Sequence, residues 1–366
     1  MGNSDEMQTP KGPSASGDVG LHKSYYIGKY KGGRNESFMY GTDKETVWYD
    51  YDLTSAYTTG MADLALPDYY NGSLIDPSEL KNWTAENFLN GYLIVNGDFS
   101  FPEHVKYPSI PCYVDKTTTV YPLNGSCYLT GPEYWLAIRQ GCEINIKSAF
   151  YIHPKIKKVF KKEEVELIQI KPFKNIINDI QCKRREFSKG TIENALYKEM
   201  GNSIYGNVVR GISYKKTFDS VTGKNLRVTA TELSNPILAS WTTAFIRSVI
   251  GECLHNIQKL GGRVVSVTTD GFITDLPCLE TKLMSLGSED TPLFSLYRSL
   301  REGLRKNPES LEIKHFGKGV VSWTTRGQLG IGSGIKATTG FQVQGYDKSE
   351  LVTIFKDTLK GCEKYF

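Results

Sequence analysis

Three separated stretches of the chain carry side chains able to hold metal ions and a polyanion. The first is Val47-Trp-Tyr-Asp50-Tyr-Asp52-Leu53-Thr-Ser55-Ala-Tyr57, an alternating strand that ends on a carboxylate and is followed at +3 and +5 by Ser55 and Tyr57. An acid at a strand tip suits a hard divalent cation, and an Asp or Ser there also suits a helix cap. The second is Lys198-Glu-Met-Gly-Asn202-Ser203-Ile-Tyr205-Gly206. On a helix, Lys198, Asn202 and Tyr205 at i, i+4 and i+7 share one face, so a cation, an amide and a ring form one stripe able to hold phosphates and a base. The third is Arg263-Val-Val-Ser-Val-Thr-Thr269-Asp270-Gly-Phe-Ile-Thr-Asp275, read as two strands with Asp270-Gly271 at the turn. Taken alone, that dipeptide fits a plain hairpin equally well.

The elements that must position these groups read as a mixed α/β chain. Residues 66 to 150 hold scattered Pro, Gly and Asn with short strand-like pieces at Gly91–Val95 and Thr117–Tyr121, and Thr130-Gly-Pro-Glu133 opens a helix with Thr as cap and Pro in the first turn. From Lys171 to Gly206 two helical runs meet near Ser188-Lys-Gly190, a helical hairpin. Residues 211 to 231 read as a β-hairpin around Thr222-Gly-Lys-Asn225. A long helix follows, capped by Ser234 or Asn235 with Pro236 in its first turn, and Gly261-Gly262 stops it.

The 366 residues, 39% hydrophobic and 23% charged, suit a soluble globular chain of two or three subdomains. The longest apolar stretches, such as Phe245 to Leu254, are interrupted by charges and fall short of a membrane-spanning length, so no membrane partner is expected. Residues 1 to 24 lack an apolar signal-peptide core and read as a disordered lead-in. Seven cysteines without a C-x-x-C pair, and only five histidines, argue against structural zinc and favour a reduced, intracellular protein. The net charge of +4 is unevenly spread: five lysines lie between Lys155 and Lys162, and Lys183-Arg184-Arg185 precedes the Lys198 stripe. Such patches with 12% aromatic residues suit a nucleic-acid groove, or the solvated faces of ordinary helices.

Read in order, Asp52-x-x-Ser55-x-Tyr57, Lys198-x-x-x-Asn202-Ser-x-Tyr205-Gly206 and Thr269-Asp270 resemble motifs A, B and C of family B DNA polymerases, most closely the protein-primed branch of phages, adenoviruses and linear plasmids. Tyr30-Lys-Gly32-Gly33 resembles that branch's Tyr-x-Gly-Gly motif, and Thr243-Ala-Phe-Ile-Arg247 its Thr-x-x-Ala/Gly-Arg segment. The resemblance runs from about residue 25 to about 275, and motif B is its most specific part.

The resemblance implies a right-hand polymerase of α/β (α+β) class. Residues 25–65 and 233–310 would form the palm, 169–210 the fingers, 66–168 and 211–232 two insertions like the terminal-protein regions, and 311–366 the palm end and a small thumb. Asp52 and Asp270 would hold two Mg²⁺ ions, with Mn²⁺ able to substitute, and the Leu53 carbonyl would complete one shell. Ser55 would approach the triphosphate, Tyr57 would stack under the sugar, Lys198 would bind phosphates with Arg184 or Arg185 as a second cation, and Asn202 and Tyr205 would line the nascent base pair. Tyr30, Gly32 and Gly33 would contact template backbone, Thr243 and Arg247 would steady the primer, and Ser203, Gly206, Lys318 and Arg326 are further candidate DNA contacts. The implied partners are template and primer DNA, deoxynucleoside triphosphates and a terminal protein as primer.

Several positions depart from the pattern. Motif C usually carries two acids separated by Thr, and Thr268 stands where the first would be; Ala56 replaces a Leu, Thr58 a Pro, and Ile246 a small residue. The family's Lys-x-Tyr motif is not evident, and Trp323-Thr-Thr-Arg326-Gly-Gln328 is the segment expected in its place. No exonuclease segment precedes Tyr30, so a polymerase core without proofreading is expected, either split or cut from a longer chain. Two alternatives remain open: a primer-independent primase-polymerase on the same palm, and a DNA-binding or terminal-protein-docking module that has lost catalysis.

Overall fold

A computed structural model describes residues 30–115, 118–161, 164–212, 216–304 and 309–330. The expected N-terminal lead-in and residues 331–366 of the expected thumb lie outside the described residues.

The chain enters as β1 (Arg34–Ser37) and β2 (Gly41–Leu53), and turns at Ser55 into the short helix α1 (Ala56–Ala62). Next come β3 (Pro67–Ile75), α2 (Ala85–Leu89), β4 (Tyr92–Ser100), β5 (Cys112–Tyr113), β6 (Thr119–Val120) and β7 (Asn124–Thr130). Helix α3 (Gly131–Arg139) leads to β8 (Glu143–Pro154) and the hairpin β9 (Ile156–Lys161) and β10 (Glu164–Gln169). Two antiparallel helices follow, α4 (Lys174–Arg185) and α5 (Ile192–Val209), then the hairpin β11 (Lys216–Asp219) and β12 (Lys224–Arg227) and the long helix α6 (Pro236–Lys259). The described chain closes with β13 (Val264–Thr269), β14 (Gly271–Thr274), α7 (Leu279–Ser285), α8 (Pro292–Leu304), β15 (Leu311–Thr324) and β16 (Gly327–Gly330).

Local chemistry sets the main boundaries. Asn235 caps α6 by accepting the Ile237 and Leu238 N–H groups ahead of Pro236, and Thr130 and Glu133 form a reciprocal capping box on α3. Both were legible in the sequence. Helix α6 is long and apolar enough by length and composition to cross a membrane, longer than its charge-interrupted sequence suggests, but its apolar window is buried throughout inside the fold. Its Ile246, Val249, Ile250, Cys253, Leu254 and Ile257 pack against Tyr51, Leu53, Val267 and Phe272 of the sheet. Ile246, where the family pattern has a small residue, is fully buried and packs opposite Gly60 of α1.

The sheet that positions the site has six antiparallel strands in the order β1-β13-β14-β2-β15-β16. Strand β2 lies between β14 and β15, so the strand carrying Asp52 is a neighbour of the strand that leaves Asp270. A second sheet, β3-β8-β4-β7, has its own core around Phe88, Leu93, Val95 and Leu129.

Glu252 is buried in α6 and accepts the Leu293 and Phe294 N–H groups at the start of α8. Burial outweighs those two donors and pushes its pKa up to about 7. The folded chain therefore keeps a proton that the unfolded chain gives up above the ordinary carboxylate range, so this contribution to stability is full at low pH and is lost as pH rises through about 7. Urea midpoints at pH 5 and pH 8 should show a larger fall in the wild type than in Glu252→Gln.

Candidate active site

The alternation of β2 turns Tyr51 and Leu53 into the core and leaves Asp50 and Asp52 half-buried on the other face. Across the strand pair, Asp52 faces Gly271, and the Leu53 N–H donates to the Asp270 carbonyl at 2.8 Å. Glycine is required at 271, because a Cβ there would lie 2.9 Å from the Asp52 Oδ1 and from the Tyr51 carbonyl oxygen. The two expected metal ligands are thus brought side by side.

The hairpin differs from the expected Asp270-Gly271 turn. Thr268 pairs with Gly271, so the turn residues are Thr269 and Asp270, and Gly271 opens β14. Thr269 takes φ 62°, a left-handed conformation that costs a β-branched residue about 1–3 kcal/mol. Ser55 adopts the same region at φ 55° where β2 turns into α1. Backbone strain is therefore concentrated at two of the expected site segments.

Charge is crowded here. Burial and the neighbouring Asp52 carboxylate raise Asp50 to about 7 and Asp270 to about 6, and burial raises Asp52 as well. Lys314 Nζ lies 2.5 Å from Asp52 Oδ2. Burial works against its ammonium, but the carboxylates of Asp52, Asp270 and Asp50 outweigh that cost and raise its pKa. Lys314, in β15 and upstream of the Trp323–Gln328 segment, was not among the residues expected at the acids. Asp50 shares the same charge cluster.

Among the described residues no group of three or more His, Cys, Asp or Glu side chains could hold a metal ion by itself. The donor set is instead two carboxylates and main-chain oxygen. Two half-buried acids, the charge of Asp52 raising the pKa of Asp270 and a lysine ammonium already drawn onto Asp52, form a site that a divalent cation would relieve.

Three expected site segments meet at a tyrosine cluster. The rings of Tyr57 and Tyr205 stack at 4.6 Å, and the Tyr205 and Tyr30 hydroxyls lie 3.1 Å apart. Lys198 is exposed one face-repeat earlier on α5, close enough for its charge to lower the pKa values of Asp52 and Asp270. Asn202, Ser203 and Gly206 are exposed on the same helix. The two candidate arginines separate. Arg184 Nε reaches Asn194 of α5, and its charge helps lower the pKa of Glu312, whose first cause is the Lys189 hydrogen bond; Glu312 pairs with Asp52 in register. Arg185 turns away to the Leu304 carbonyl at 2.9 Å, so only Arg184 stands beside the site.

Thr243 and Arg247 need correction. Thr243 is buried and donates within α6, to Ala239 or Ser240, and Arg247 is 5% exposed. The Arg247 guanidinium pairs with buried Glu133 at 2.6 Å and donates to the carbonyls of Lys31 and Gly32. Neither side chain is on a surface that DNA could reach, and Arg247 instead holds the Tyr30–Gly33 segment. Gly33 also serves the protein itself: a Cβ there would lie 2.7 Å from Thr269 Cγ2 and 2.9 Å from the Tyr57 hydroxyl. Lys318 pairs with Glu45 at 2.7 Å, far along β2 from the acids, whereas Arg326 reaches Thr269 and Asn35 beside the hairpin. Glu133, Lys31 and Asn35 were missed in the sequence; only Glu133 carried a signal, as the acid of the capping box.

No protein-family model matches the chain. A primer-independent DNA polymerase, PolB, from Escherichia coli is 34% identical over 324 residues, which cover 88% of this chain and 35% of that protein. The chain thus spans about a third of that relative's length. Phi29 DNA polymerase in a ternary complex with primer-template DNA and incoming nucleotide superposes with TM-score 0.54 at 14% identity, over 86% of this chain and 50% of that one. This chain has the phi29 DNA polymerase fold. An orthorhombic crystal form of phi29 DNA polymerase matches equally, with TM-score 0.54, 13% identity and coverage of 84% and 50%. The mixed α/β polymerase architecture expected from the motifs is the one observed, with the six-stranded sheet at its centre.

Gly33→Ala should lower stability by about 1–3 kcal/mol in urea denaturation, because the added methyl would meet the Thr269 Cγ2 at 2.7 Å, the Tyr57 hydroxyl at 2.9 Å and the Thr269 backbone at 3.1 Å. Gly32→Ala, with nothing within 4 Å of the added methyl, should stay within about 0.5 kcal/mol of wild type.

Proposed function

We propose that this chain is the polymerase core of a family B DNA polymerase and adds deoxynucleotides to a primer 3′-hydroxyl on a DNA template. The observation that carries the reading is that Asp52, near the end of β2, is tied beside Asp270 of the β13–β14 turn, with Lys198 close enough for its charge to act on both acids. The Escherichia coli relative, named as a DNA polymerase, supports it.

In this reading Asp52, Asp270 and the Leu53 carbonyl would hold two Mg²⁺ ions, which would supply Lewis-acid activation of the primer hydroxyl and offset charge on the leaving pyrophosphate. Lys198 and Arg184 attract the triphosphate from the helical side, and Ser55 approaches it from the tight turn after β2. Tyr57 supports the sugar, and Asn202 and Tyr205 face the nascent base pair. Tyr205 is stacked on Tyr57. Lys314 pairs with Asp52 and offsets its negative charge. Tyr30, Gly32, Ser203 and Gly206 face the template path.

Two readings of the first hydroxyl differ in their support. The motif resemblance favours a protein primer, and the relative described as primer-independent favours a start without one. Extension of a labelled primer with Mg²⁺ tests the core reading, and the same template without primer tests the second. Wild type should extend the primer, and Asp52→Ala or Asp270→Ala should lose about 10³-fold or more, as loss of several kcal/mol of metal-borne stabilisation requires. Product on the primer-free template would select primer-independent synthesis. No extension by the wild type with either Mg²⁺ or Mn²⁺ would overturn the polymerase reading in favour of a docking module.

A further inference from the structure

The strained turn at Thr269 is held from two sides by groups outside motif C. Asn35 of β1 uses its whole amide: Nδ2 donates to the Gly33 carbonyl at 3.1 Å, while Oδ1 accepts the Thr269 hydroxyl at 3.3 Å and Arg326 Nε at 2.9 Å. Arg326 closes the triangle, its second guanidinium nitrogen donating to Thr269 Oγ1 at 3.1 Å. Arg326 is itself left-handed, at φ 62° in the β15–β16 turn. Two unfavourable backbone conformations at the tips of two hairpins are therefore bridged by one amide on a third strand. Gly33 completes the packing, since its missing Cβ leaves the space that Thr269 Cγ2 fills.

We infer that Asn35 and Arg326 are positioning residues that lock Thr269 in its left-handed conformation and thereby fix Asp270 beside Asp52. Their chemistry suits the task. A β-branched residue at positive φ persists only when its surroundings over-determine it, and the threonine hydroxyl, engaged as both donor and acceptor, supplies two such constraints. The following residue is Asp270, so relaxation of φ at 269 swings its carboxylate away from its partner. Arg326, expected to contact DNA backbone, directs two of its five N–H groups to Asn35 and Thr269. The lock also gives Thr269 a role independent of the absent first acid of motif C.

This inference rests on the proposed polymerase reading for its kinetic readout but not for its structural one. The test is a double-mutant cycle on the full chain, with Asn35→Ala and Thr269→Gly made singly and together. Glycine adopts positive φ without strain, so a lock is superfluous in its presence. Asn35→Ala alone should lower kcat for primer extension about 10- to 100-fold with little change in the KM for primer-template. In the Thr269→Gly background the same change should cost less than about threefold. Arg326→Ala should behave like Asn35→Ala, in kcat and not in the KM for DNA. Equal losses from Asn35→Ala in both backgrounds would overturn the lock, as would an Arg326→Ala effect confined to the KM for DNA.

Urea denaturation of the same four proteins separates this inference from the polymerase reading. A destabilisation by Asn35→Ala that shrinks in the Thr269→Gly background supports the lock even if no variant, wild type included, extends a primer. An unchanged destabilisation overturns it, whatever the activity. If Asn35→Ala does not fold, the Arg326→Ala and Thr269→Gly pair completes the same cycle.

Discussion

Asp52 and Asp270 repel each other inside a half-buried site, and the antiparallel pairing of β2 with β14 holds their backbones together. The pairing fixes Gly271 opposite Asp52 and ties the Leu53 N–H to the Asp270 carbonyl, so the two acids stay neighbours for as long as the sheet and its turn keep their shape. Much of the surrounding structure can be read as a response to that enforced proximity. Lys314 is drawn onto Asp52 from the neighbouring strand, Lys198 adds positive charge from α5, and the remaining cost appears as raised pKa values at Asp50 and Asp270. A site that stores repulsion in this way favours any cation that can bridge both acids.

The sheet holds its position because α6 is buried along its length against it, and α6 also anchors the segment that approaches the site from the other side. Arg247, paired with Glu133, grips the Lys31 and Gly32 carbonyls and so ties α3, α6 and the Tyr30–Gly33 segment together. Truncating either partner of this buried pair would strand the other charge without water. The pair thus acts on the site through the backbone that carries Tyr30, whose hydroxyl meets Tyr205, whose ring in turn covers Tyr57.

Much of this was legible before the structure. The strand ending at Asp52, the Lys198–Tyr205 stripe, the helical hairpin and the caps of α3 and α6 follow from short-range rules of periodicity and hydrogen bonding, which depend on neighbours in sequence. The turn at Thr269 was misplaced by one residue because Asp-Gly is the stronger local signal, and tertiary bonds from Asn35 and Arg326 favour the costlier threonine. Arg247 was read as a DNA contact because an arginine carries no mark of burial in its sequence; its partner Glu133 lies 114 residues away and looked only like a cap. Lys314 and Asn35 were missed for the same reason, since their partners are set by strand order. The order β1-β13-β14-β2-β15-β16 brings together strands from both ends of the described chain.

The central claim is that Asp52 and Asp270 form one shared cation site. Electron paramagnetic resonance of Mn²⁺ bound to the chain with a deoxynucleoside triphosphate tests it most directly. The wild type should show two magnetically coupled ions per chain, and either Asp52→Asn or Asp270→Asn should remove the coupling. Isolated ions in the wild type, or coupling that survives the loss of Asp270, would contradict the shared site.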